Sequence, residues 1–78
     1  MNTEKTLPNG IIIDTPRTLG EVVRNKRKED NLTQVELAEL TGVGLRFLSE
    51  LENGKPTIQL NKVLLVLSGL GLKIEIGQ

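Results

Sequence analysis

The stretch from Thr33 to Lys55, TQVELAELTGVGLRFLSELENGK, constrains the chain most, because its local signals describe two short helices joined by a sharp turn. Thr33 has the place of an N-cap, and Glu36, three residues on, is set to reach back to the cap's own N–H. Leu32 and Leu37 stand where a hydrophobic staple closes the start of a helix. From there Leu37, Ala38 and Thr41 fall on one side, with Glu36, Glu39 and Leu40 on the other. Gly42 stops the helix where a left-handed residue is needed. Val43 then turns inward and Gly44 opens the second helix, whose inward stripe is Leu48 and Leu51. Its outward positions are Leu45, Arg46, Ser49, Glu50 and Asn53, and Gly54 and Lys55 end it.

The offsets of Gln34, Ala38, Gly42, Leu48 and Leu51 match a DNA-binding helix-turn-helix. The alanine lets the helices cross closely, the glycine makes the turn, and the two leucines lock the second helix across the first. With the capping box in front, the closing LENGK, and Arg27 seven residues before Gln34, the chain from about residue 17 to 70 resembles the Xre/Cro/CI family of phage-repressor-like proteins. The resemblance implies an all-α fold, a compact lambda-repressor-like helical bundle. Arg27 falls on the inward side of the first helix, and a buried arginine needs a carboxylate. Family likeness puts Glu52 opposite it, so Arg27 and Glu52 are expected to form a structural ion pair; a phosphate contact is the alternative role for Arg27.

If the second helix of the motif enters a major groove, its N-terminal residues reach base edges, which nominates Leu45, Arg46, Ser49 and Glu50. Arg46 suits a bidentate contact to guanine, Leu45 a thymine methyl, and Glu50 the amino group of cytosine. Gln34 matches a family position that contacts phosphate and braces the reading helix. Thr33, Asn53 and Lys55 are the further phosphate contacts expected, helped by helix N-terminal N–H groups. Gly44 departs from the serine often found at its place in the family, which implies a weaker cap and one phosphate contact fewer. Phe47, the single aromatic, reads as a core-edge residue or as a stacking platform for a base or sugar. Val35 and Leu40 read as ordinary exposed hydrophobes or as part of a surface for a second protein.

Residues 1–14 read as an N-terminal arm, polar up to the Pro-Asn-Gly turn signal and ending in the β-branched run Ile11, Ile12 and Ile13, which is typical of a strand. That run either covers an edge of the core or forms a partner-binding edge. Residues 15–71 form the DNA-binding domain. Its first helix starts at Thr15-Pro16 or one turn later at the Thr18/Glu21 capping box, and carries an inward stripe of Leu19, Val22, Val23 and Lys26. Gly20 is expected to allow a close contact. The last helix begins between Ile58 and Leu60, with Leu60, Val63, Leu64 and Leu67 as one apolar face and Leu65, Val66 and Leu70 extending it around. An all-round apolar helix is buried on two sides, and a second copy of a 78-residue chain is the simplest second side.

Residues 72–78 alternate apolar and charged residues through Leu72, Ile74 and Ile76, the pattern of a half-buried strand. A lone strand must pair with its equivalent in a second subunit, with Ile11–Ile13, or with both. Leu65, Val66, Leu70, Leu72, Ile74 and Ile76 are therefore the expected homodimer interface. This ending, together with GLRFLSELENGKPT, is similar to the HipB-type antitoxins, whose C-terminal strands pair across the dimer. That likeness implies a repressor of its own operon, bound to an inverted-repeat operator, with a HipA-like serine/threonine kinase toxin as partner.

Ten basic and ten acidic residues cancel, whereas basic domains are the usual nucleic-acid footprint. Arg24, Lys26, Arg27 and Lys28 nevertheless cluster, and Arg46 and Lys55 lie on or beside the second helix of the motif. A local positive face on a neutral chain implies modest non-specific DNA affinity. Without cysteine or histidine there is no disulfide framework, no thiolate or imidazole metal site and no neutral-pH base, so no metal, cofactor, small-molecule ligand or catalysis is expected. No apolar run approaches a membrane span or a signal peptide, and a cytoplasmic location is expected. The competing readings are a stand-alone phage or host regulator and a protein-interaction module that has lost DNA binding.

Overall fold

The Thr15 hydroxyl accepts the N–H of Thr18 at 3.0 Å, and Pro16 supplies the fixed φ of a first helical residue, so the first helix begins there and not one turn later. The computed structural model describes residues 11–77. Four helices follow one another among them: α1 Pro16–Glu29, α2 Gln34–Thr41, α3 Leu45–Glu52 and α4 Leu60–Gly69. Asp30 caps α1, and Asn31, at φ 59°, bends the chain towards α2. The capping box at α2 is closed both ways: Thr33 Oγ1 accepts the Glu36 N–H at 3.0 Å, and Glu36 Oε1 accepts the Thr33 N–H at 2.8 Å. Gly42 ends α2 at φ 77°, the left-handed conformation that glycine adopts without cost.

The core gathers one apolar stripe from each helix. Val23 comes from α1, Leu37 and Ala38 from α2, Leu48 and Leu51 from α3, and Val63, Val66, Leu67 and Leu70 from α4 and its cap, with Val43 between α2 and α3. α1 packs on α3, while α2 packs on both α3 and α4. The first of these contacts is backbone to backbone. A Cβ at Gly20 would lie 2.7 Å from the carbonyl oxygen of Glu52 and overlap that of Leu51. Lys26 does not join the inward stripe of α1; its ammonium turns along the helix to Asp30, 2.9 Å away.

One expectation for the C-terminal part is corrected. Val66 and Leu70, assigned to a dimer seam, are 0% and 3% exposed within a single chain and belong to its core. The buried stripe of α4 is Val63, Val66, Leu67 and Leu70, while Leu60, Leu64 and Leu65 face outward. Both this set and Leu60–Val63–Leu64–Leu67 follow the i, i+3, i+4, i+7 rule, so periodicity cannot choose between them. Packing chooses. A Cβ at Gly69 would overlap Thr41 Cγ2, so the end of α4 seats closely on the end of α2, and that seating fixes the rotation of α4.

Of the two partners expected for a C-terminal strand, the one within the same chain is ruled out. No strand forms among the described residues, and Ile11–Ile13 do not pair with residues 72–76. Ile12 is half-buried, Ile11 and Ile13 are exposed, and Gly71 at φ 71° turns the chain so that Leu72 donates its N–H to Leu67 at 2.8 Å. Leu72 packs against the core; Ile74 and Ile76 point to solvent. A strand needs a ladder partner, and one chain supplies none to this segment. The expected polar arm at residues 1–10 lies outside the described residues. No described helix is long and apolar enough to cross a membrane.

Candidate nucleic-acid interface

A single carboxylate fixes how α3 sits on the bundle. Arg27 donates from Nε to Glu52 Oε2 at 2.7 Å and from Nη2 to Oε1 at 3.0 Å, the two-pronged geometry that guanidinium and carboxylate favour. Its Nη1 reaches the carbonyl of Leu32 at 2.8 Å, and Gln34 Nε2 adds a third donor to the same carboxylate at 3.0 Å. The Arg27 and Glu52 side chains are 10% and 2% exposed, and no buried side-chain polar atom among the described residues lacks a partner. Hydrogen bonding to Glu52 raises the Arg27 guanidinium further above its ordinary value, so the arginine stays charged despite its burial. The last turn of α1, the first residue of α2 and the last residue of α3 are thereby held together. Arg27 is committed to this brace, which leaves it no role at a phosphate.

With Leu48 and Leu51 buried, α3 presents Leu45, Arg46, Ser49, Glu50 and the following Asn53 on its other side. The Arg46 side chain is 92% exposed, and Leu45 is nearly half exposed. Gly44 caps α3 without a side-chain hydrogen bond, as its missing hydroxyl requires. Ser49 Oγ and Asn53 Nδ2 lie 3.5 Å apart one turn from each other. Glu50 stands between two cations: Oε2 is 3.4 Å from Arg46 Nε and Oε1 is 3.2 Å from Lys55 Nζ. The Lys55 hydrogen bond, with charge from Lys55 and Arg46 behind it, holds the Glu50 carboxyl below the usual carboxylate range.

Of the residues nominated for phosphate, Asn53 and Lys55 follow α3 directly. Thr33 and Gln34 lie at the start of α2, where the first-turn N–H groups are left over by intrahelical bonding. Gln34 has already given one amide hydrogen to Glu52, so its side chain braces while its backbone N–H, in the first turn of α2, has no intrahelical acceptor. Phe47 packs at the core edge, with Lys62 Nζ 5.6 Å from its ring centre, a cation–π contact that joins α3 to α4. Two features escaped the sequence reading. One is the Glu50–Lys55 link, which exists because Gly54, at φ 80°, folds the chain back so that the Lys55 N–H reaches the Glu50 carbonyl at 3.0 Å. The other is an open polar groove of about 380 Å³ beside Asn53, lined from α1 by Arg17, which pairs with Glu21 at 3.8 Å, and by Arg24. The positive charge of Arg24 was visible in the sequence, but its place beside α3 was not.

A helix-turn-helix family model matches residues 23–76. The chain belongs to this helix-turn-helix family. It is an Xre-type transcriptional regulator, not an enzyme. The helix-turn-helix protein is 58% identical over 64 residues to an uncharacterized HTH-type transcriptional regulator, y4mF, of Sinorhizobium fredii, spanning 82% of this chain and 84% of that one. It is also 41% identical over 39 residues to the ImmF control region 10 kDa protein of Bacillus phage phi105, spanning 50% of this chain and 43% of that one.

Among solved structures, the fold of this helix-turn-helix regulator matches HipB in a HipB–O4 20mer complex with a TM-score of 0.78 at 26% identity, over 85% of this chain and 93% of that one. The same values describe the match to a HipA–HipB–O2–O3 complex. The clp gene regulator ClgR of C. glutamicum follows at a TM-score of 0.68 and 32% identity, over 76% of each chain.

Proposed function

We propose that this regulator is a homodimeric repressor that reads an inverted-repeat operator in the major groove, controls its own operon and serves as the antitoxin of a HipA-like serine/threonine kinase. Leu45, Arg46 and Ser49 meet base edges, while Thr33, Gln34, Asn53 and Lys55 hold phosphates of the flanking backbone. The observation that carries the reading is the outward row on α3, anchored through Glu52 with its arginine side chain 92% exposed, in a fold shared with HipB in its 20mer complex. The kinase partner rests on the likeness to HipB in the complex that also contains HipA.

The dimer seam of this reading uses Leu65, Leu72, Ile74 and Ile76, without the core residues Val66 and Leu70. Leu60 and Leu64, also exposed on α4, are further apolar residues open to a partner. Strand pairing of residues 72–76 between two copies supplies the ladder that one chain lacks. A stand-alone phage or host regulator is the second reading, favoured by the likeness to the ImmF control region protein.

The test is a gel shift on the DNA upstream of the protein's own gene, at increasing salt, with and without the kinase of a neighbouring gene. A salt-sensitive complex that the kinase shifts further supports the antitoxin. A complex indifferent to the kinase favours the stand-alone regulator. No complex at micromolar protein leaves an interaction module without DNA binding.

A further inference from the structure

The Arg46–Glu50 pair is poorly suited to stabilising its helix. An exposed i, i+4 ion pair contributes little in water, and an arginine placed before a glutamate runs against the helix dipole. What surrounds the pair is more informative. Lys55 is fixed through its backbone, because its N–H is bonded to the Glu50 carbonyl across the Gly54 turn. Its ammonium holds Glu50 Oε1, which leaves Oε2 aimed at Nε of Arg46. Only Nε of the guanidinium is engaged this way; among the described residues Nη1 and Nη2 make no hydrogen bond.

We infer that Glu50 is a positioning residue, held by Lys55, that orients the Arg46 guanidinium so that its two terminal nitrogens meet N7 and O6 of one guanine. The inference rests on the operator reading proposed above and replaces the direct contact of Glu50 with cytosine. An exposed arginine surrenders much rotamer freedom when it binds, and a side chain already held by its Nε surrenders less. The carboxylate also repels phosphate, so it lowers affinity for DNA of any sequence while it sharpens choice at one base pair.

The experiment is selection from a randomised duplex library by the full chain, followed by titration of the selected duplex and its single-base-pair variants with wild type, R46A, E50A, E50Q and R46A/E50A. R46A is expected to lose a preference on the order of tenfold at one guanine. E50A should lose at least about a third of that preference in logarithmic terms, at the same base pair, while binding random duplex more tightly. E50Q, which keeps an acceptor for Nε, should recover part of it, and R46A/E50A should discriminate no worse than R46A. Loss of preference at a different base pair by E50A, additive with R46A, would make Glu50 a base reader and overturn the inference. Unchanged preference in E50A would also overturn it. Wild-type protein that selects no sequence at all ends the operator reading itself, and this inference with it.

Discussion

Arg27 Nε lies 2.7 Å from Glu52 Oε2, and this buried contact ties the last turn of α1 to the last residue of α3. Removing one partner strands a charge in the core, which costs about 3–5 kcal/mol, a large share of what a small domain has. R27M is therefore expected to lose most of its urea resistance. R27M/E52M, which removes both charges, should regain much of it. Equal loss in the single and double variants would show that the pair is not coupled.

G20A tests the backbone contact between the same two helices. A methyl group there meets the carbonyls of Leu51 and Glu52, and forcing α1 away from α3 costs about 1–3 kcal/mol. Each kcal/mol lowers Tm by roughly 4–8 °C in a domain of this size. G44S is the contrasting case. Nothing lies within 4 Å of a Cβ at Gly44, and its φ of −71° suits any residue. A serine there supplies the missing cap and should raise stability by a few tenths of a kcal/mol. Thermal melts of the two variants should move in opposite directions.

The parts of this fold that depend on residues close in sequence could be read before the structure. Thr33 and Glu36 announce the capping box, Gly42 the left-handed stop, and Leu48 and Leu51 the inward side of α3. What depends on distant contacts could not. The rotation of α4 is set by Thr41 against Gly69, and the apolar residues around α4 satisfy two faces equally. The Glu50–Lys55 link needs the reversal at Gly54, which no helical spacing predicts. The alternation of residues 72–76 fits a strand, but a ladder takes two segments, and within one chain Ile11–Ile13 do not pair with them.

Glu50 supplies a pH test. Its folded-state pKa is lowered, chiefly by the Lys55 hydrogen bond, so its contribution is present above the ordinary carboxylate range and is lost only as pH falls through the lowered value. The Glu50 carboxyl carbon, followed by NMR, should titrate below the usual midpoint of about 4.3. K55M should bring that midpoint up. An unchanged midpoint in K55M would mean that Lys55 does not hold the carboxylate in solution.

Ile74 is 55% exposed in the single chain and lies on the proposed seam. I74D places a charge there without touching the core, so the variant should remain helical by circular dichroism while light scattering reports a monomer. Operator binding should fall with it. A variant that stays dimeric places the seam elsewhere.

The central claim is that two copies set α3 into successive major grooves on one face of a duplex, and methylation interference on the DNA upstream of the gene tests it most directly. Methyl groups on guanine N7 should block binding in two symmetric clusters about 10 base pairs apart, one for each α3. Interference that is absent, or spread evenly along the duplex, would contradict it.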